Sequence, residues 1–151
     1  MTDKIVSQVK FEIEQIDQLL RSFAGLLTSA QENTPDLVQV TALASVLHSF
    51  YNGLENMFLS IAKGIDDAVP TGAQWHRDLL TQMTKATSNR GPVLTDELAH
   101  QLAGYLGFRH FYRHSYSFFL EWSEVEELVT PLARVWNQVK AELELFLEEL
   151  R

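Results

Sequence analysis

Cysteine is absent from the 151-residue chain. That excludes disulfide scaffolds, thiolate zinc sites, iron–sulfur clusters and thiol nucleophiles. Glycine and proline are scarce, at seven and four, so few positions force a helix to stop. Long apolar runs are missing too, and no stretch approaches the roughly 20 residues that span a bilayer as a helix. Positive charge is short: 12 Lys and Arg stand against 20 Asp and Glu, a formal net charge of −8. Coating nucleic acid without regard to sequence needs many cation–phosphate contacts, and this balance argues against it. A small basic site is still open. The start, Met1-Thr2-Asp3-Lys4, runs straight into an amphipathic pattern and does not read as a signal peptide. A cytoplasmic chain with no membrane segment is expected.

What is present is a globular composition, 46% hydrophobic and 21% charged, which does not fit general disorder. Apolar residues recur three or four apart over long stretches, the period of a helix with one buried face. Ile5, Val9, Ile13, Ile16, Phe23 and Leu27 predict a first helix over residues 2–30. Thr34 is the expected N-cap of a second, with Pro35 in its first position and Asp36 in its first turn. That helix runs over 36–65, a connector over 66–72, and a shorter helix over 73–86. Residues 87–92 read as a surface loop. Thr95 is expected to cap the next helix, which carries Leu98, Leu102, Tyr105 and Phe108. Ser123-Glu124-Val125-Glu126 fits a capping box for the last helical region, which Pro131 either kinks or restarts. No strand-like alternation and no internal repeat competes. The expectation is one all-α domain over residues 1–151: an antiparallel bundle of four long helices plus one additional short helix.

The histidines are 48, 76, 100, 110 and 114, and the last two fall in an aromatic and basic stretch, Arg109-His110-Phe111-Tyr112-Arg113-His114-Ser115-Tyr116. Arg is permanently charged and grips phosphate with two parallel hydrogen bonds. His can give or take a proton near neutral pH. Together they suit cleavage of an RNA phosphodiester. A base takes the proton of the 2′-OH, an acid protonates the leaving 5′-oxygen, and Arg stabilises the charge that develops on phosphorus. The nucleophile is the substrate's own 2′-OH, so this chemistry requires no metal or other cofactor. Phe111, Tyr112 and Tyr116 could stack unpaired bases, and Arg113 either strengthens phosphate binding or pairs with the acidic last helix.

The bland alternatives are solvated charges at Arg109 and Arg113, packing histidines at 110 and 114, and core positions at Phe111, Phe118 and Phe119. A metal pair at His110 and His114 has the right helical spacing but no third ligand nearby. Chance supplies Arg-x4-His about 0.2 times in such a chain, and about 0.006 times with Tyr two residues further on. On one unbroken helix Arg109 and His114 diverge by roughly 140°. Either the helix ends between them, or two copies of the segment face each other across a dimer axis.

Arg109-x4-His114-x-Tyr116 resembles the Arg-x4-His-x-Tyr signature of HepT toxins, within the HEPN superfamily of all-helical ribonucleases. HEPN motifs usually carry a polar residue directly after the Arg, and His110 fits. Tyr51-Asn52-Gly53-Leu54-Glu55 and Trp75-His76-Arg77-Asp78-Leu79-Leu80 also look like segments of a HepT-like branch, and the likeness covers most of the chain. The resemblance implies a HEPN-type bundle and a homodimeric, metal-independent endoribonuclease toxin. Arg109 and His114 would be its catalytic pair, with His110 in support. Its partner would be a small MntA-like nucleotidyltransferase antitoxin, which silences the family by AMPylation of the motif tyrosine, here Tyr116. Many HepT proteins carry a short aliphatic, Asn-containing stretch where this chain has Phe111-Tyr112-Arg113. The resemblance gives no role to Glu55 or His76, for which surface or interior polar contacts are the simplest expectation. The alternative function is a non-catalytic HEPN-like helical partner, or nucleotide-binding subunit, of a nucleotidyltransferase.

Overall fold

A computed structural model describes residues 2–113 and 120–150. Its elements are α1 (Thr2–Ser22), α2 (Ala24–Glu32), α3 (Leu37–Ile61), α4 (Trp75–Gln82), α5 (Asp96–Arg113), α6 (Trp122–Val129) and α7 (Leu132–Glu149). A π-helical turn, Ala62–Asp66, continues α3. The described residues contain no strand beyond one isolated bridge between Thr87 and Arg90. The expected all-α bundle is what the chain forms.

α3 is the central element because it is apolar on nearly every side. Leu43, Leu47, Phe50, Leu54, Met57, Phe58 and Ile61 are all fully or almost fully buried. It packs against α1, α4, α5 and α6. α1 supplies the narrower stripe of a surface helix, Ile5, Val9, Ile13 and Ile16. α1 comes close to α3 at Gly53, where an added Cβ would lie 2.9 Å from Ile16 Cδ1. Phe50 meets Tyr105 and Trp136 edge-on at 5.3 and 6.1 Å, joining α3 to α5 and α7. α7 is tied to α1 by Asp17, whose Oδ1 accepts from Trp136 Nε1 at 2.8 Å and Lys140 Nζ at 2.9 Å.

The helix boundaries differ from expectation at several points. The first predicted helix is two, broken at Phe23, whose φ and ψ of −109° and 14° leave the helical region. Asp36, not Thr34, caps α3, and it forms a reciprocal box with Gln39. A carboxylate accepts the N3 backbone N–H while the Gln39 amide returns to the cap. Thr95 does cap α5, through Leu98 N at 3.2 Å. Ser123 does not open α6, which starts one residue earlier with Glu121 at the cap and no side-chain cap bond. At Pro131 the chain breaks and restarts as α7.

The segment over 87–92 is not simply a surface loop, because Arg90 plugs into the body. Arg90 is 7% exposed. Its Nε and one terminal nitrogen donate to the two oxygens of Asp66, each at 2.7 Å. Its other terminal nitrogen donates to the carbonyls of Lys85 and Gly91. Asp66 reaches this position from the π-turn, which Asp67 ends with a left-handed φ of 52°. Gly72, at φ 102°, makes the turn that admits α4.

Candidate functional site

Arg109 lies on the last turns of α5 and is largely buried, its side chain 13% exposed. Its Nε donates to Asn52 Oδ1 on α3 at 2.7 Å. A terminal nitrogen stands 3.8 Å from Glu55 Oε1, one helical turn further along α3. Glu55 is 5% exposed, a carboxylate that the core would not accept without cationic partners. Its second oxygen, Oε2, takes a 2.8 Å hydrogen bond from His76 Nδ1 on α4. One carboxylate thus sits between a guanidinium and an imidazole carried by different helices.

The Asn52 amide is oriented by both of its neighbours. Its oxygen accepts from Arg109, so its NH2 faces His48, whose Nε2 is 3.1 Å away and accepts. Burial, then the positive charges of Arg109 and Arg113, hold the His48 imidazole below its ordinary titration range. A neutral His48 is what an accepting Nε2 requires. Its Nδ1 is buried and has no hydrogen-bond partner among the described residues. The Tyr112 ring packs on His48 with centroids 5.0 Å apart.

Above this polar floor lies an open cleft of about 550 Å³ between α4 and the second half of α5. Trp75, His76, Arg77, Arg109, His110 and Arg113 are among its lining residues. The Trp75 indole stacks on the His76 ring at 3.6 Å. Three guanidinium groups, Arg77 from α4 and Arg109 and Arg113 from α5, line the cleft and form an anion-attracting surface in a chain whose net charge is −8.

Among the sequence-predicted site residues, Arg109, His110 and Arg113 line this cleft together. Tyr112 does not line it. It turns towards His48 and Phe108 and is half-buried. Phe111 is 38% exposed, so it is not a core residue. His114 and Tyr116, and with them Phe118 and Phe119, lie outside the described residues. Asn52, Glu55 and His76 belong to the site but carry no assigned role in the sequence motif. A signal for two of them was available. His48, Asn52 and Glu55 recur at i, i+4 and i+7, a polar stripe down one face of an otherwise apolar helix. Such a stripe must meet partners, and the partners come from α5 and α4. His76 carried no comparable signal.

A family model described as HepT-like protein matches residues 42–150. The chain belongs to the HepT-like family, and the matched region contains α4 to α7 and most of α3. No curated protein and no solved structure matches the chain. No helix among the described residues is long and apolar enough to cross a membrane.

Proposed function

We propose that this chain is a metal-independent endoribonuclease, the toxin half of a toxin–antitoxin pair whose other half is a nucleotidyltransferase. The observation that carries this reading is the setting of Arg109. Two α3 side chains hold the guanidinium at the base of a cleft whose other walls carry Arg113, Arg77, His110 and His76. A phosphodiester bound there meets a fixed cation that stabilises charge developing on phosphorus. With Nε committed to Asn52, the terminal nitrogens supply the phosphate contacts.

In this reading His114 is the acid–base partner of Arg109 and His110 supports it. Two copies of the chain pair so that their motif segments share one RNA. AMP placed on Tyr116 silences the enzyme, because the added phosphate competes with RNA for Arg109 and Arg113. HepT-like membership supports this assignment.

The test is cleavage of RNA by the purified chain with a chelator present. Wild type is expected to cut and leave 2′,3′-cyclic phosphate and 5′-hydroxyl ends. Arg109→Ala and His114→Ala should each lose about 100-fold or more. Equal cleavage by all three would sink the proposal. Nucleotide binding and co-purification with a nucleotidyltransferase, without cleavage of any RNA, would make the chain a non-catalytic subunit instead.

A further inference from the structure

His76 is held by α4, outside the Arg-x4-His-x-Tyr segment, yet it faces the same cleft as Arg109. Three observations set its chemistry. First, Nδ1 is occupied by Glu55 Oε2 at 2.8 Å. A carboxylate oxygen only accepts, so Nδ1 carries the hydrogen, and Nε2 of the neutral ring bears the lone pair. Second, Nε2 makes no hydrogen bond among the described residues, while the side chain keeps 27% of its surface exposed and lines the cleft. Third, the Trp75 indole lies against the ring at 3.6 Å and 29°, which restricts its rotation.

We infer that the Glu55–His76 pair is a general base of this site, His76 Nε2 taking a proton from the substrate hydroxyl while Glu55 steadies the imidazolium that forms. The inference rests on the ribonuclease reading above. The same logic operates wherever a buried carboxylate holds an imidazole in one tautomer and stabilises its protonated form. Glu55 also spans the distance to Arg109, so base and phosphate clamp are positioned by opposite oxygens of one carboxylate. The step balances as follows. The 2′-OH proton passes to His76 Nε2, the 2′-oxygen forms a bond to phosphorus, and the bond from phosphorus to the 5′-oxygen breaks. That 5′-oxygen takes a proton from a separate acid, assigned from the sequence to His114. The products are a 2′,3′-cyclic phosphate and a 5′-hydroxyl.

The experiment compares two substrates: ordinary RNA, and RNA in which the bridging 5′-oxygen at one cleavage site is sulfur. A thiolate leaves without a proton, so the modified substrate needs the base but not the acid. On ordinary RNA, His76→Ala and His76→Gln should each fall about 100-fold or more. Glu55→Gln should fall about tenfold, since Gln still accepts from Nδ1 but cannot neutralise the imidazolium. On the sulfur substrate His114→Ala should recover most of its activity, and both His76 variants should not. Added imidazole should restore part of the His76→Ala activity.

Far-UV circular dichroism and thermal melts identify variants that fail to fold, and His76→Gln keeps the claim testable if the alanine variant does. Wild-type rates in both folded His76 variants overturn the base assignment alone. Recovery of the His76 variants on the sulfur substrate also overturns it, because His76 would then be the acid. A wild-type chain that cuts no RNA overturns this inference together with the ribonuclease reading.

Discussion

Arg109 Nε donates to Asn52 Oδ1 at 2.7 Å, and that bond ties the end of α5 to the middle of α3. It does two things at once. It aims the guanidinium, and it leaves the Asn52 NH2 to satisfy His48. The proposed phosphate clamp therefore depends on a side chain 57 positions away in sequence.

Loss of that tie should weaken RNA cleavage without unfolding the chain. Asn52→Ala removes a neutral acceptor from a charged donor, worth about 1.5–3 kcal/mol. Cleavage is expected to fall about tenfold, read as kcat/KM on one RNA. Arg109→Lys keeps the charge but has neither the Nε donor nor the fork, so its loss should be larger, about 100-fold. A lysine variant as active as wild type would show that geometry at position 109 does not matter.

His48 makes the fold sensitive to mild acid. Its native titration is displaced downward by burial and by Arg109 and Arg113. The unfolded chain therefore takes up the proton first. Stability is full above the unfolded value, about 6.5, and falls as pH drops through the window between that value and the lower native one. Urea midpoints between pH 8 and pH 5 should decline in wild type, and this decline should be shallower in His48→Gln. An identical decline in both would remove His48 as its source.

The Asp66–Arg90 pair should be the most costly polar contact to break. Both side chains are almost wholly buried, 3% and 0% exposed. Asp66→Ala strands the guanidinium among carbonyls, and removal of one partner from such a pair costs about 3–5 kcal/mol. Chemical denaturation should show that loss in Asp66→Ala. The double variant Asp66→Leu, Arg90→Met should lose less than Asp66→Ala, since no charge is left unpaired.

Modification of Tyr116 has a mass signature. Co-expression with a cognate nucleotidyltransferase should add about 329 Da per AMP unit to the intact chain, with loss of RNA cleavage. Tyr116→Phe should carry no adduct and stay active in the partner's presence. Adducts that persist unchanged in that variant would place the acceptor elsewhere.

The helical fold was legible because its cause is local. The spacing of Ile5, Val9, Ile13 and Ile16 needs only the helical period to show a buried face. Caps were less legible. Thr34 and Ser123 are both good cap residues, yet α3 is capped by Asp36, whose reciprocal box with Gln39 satisfies two backbone N–H groups at once, and α6 follows Glu121 without a side-chain cap bond. The break at Phe23 has no Pro to announce it, and the nearby Gly25 lies inside α2 and not at the break. Arg90 sits among loop-forming residues, and only the distant Asp66 makes it an interior group.

The sequence by itself determined the all-helical class and the concentration of Arg109, His110, Arg113 and His114 in one short segment of an acidic chain. These are properties of neighbours along the chain, readable from period and composition. Tertiary structure alone decided which remote side chains complete the site. Asn52 and Glu55 on α3 and His76 on α4 meet around Arg109 because a buried carboxylate and a half-buried amide must find partners, and packing places those partners on other helices.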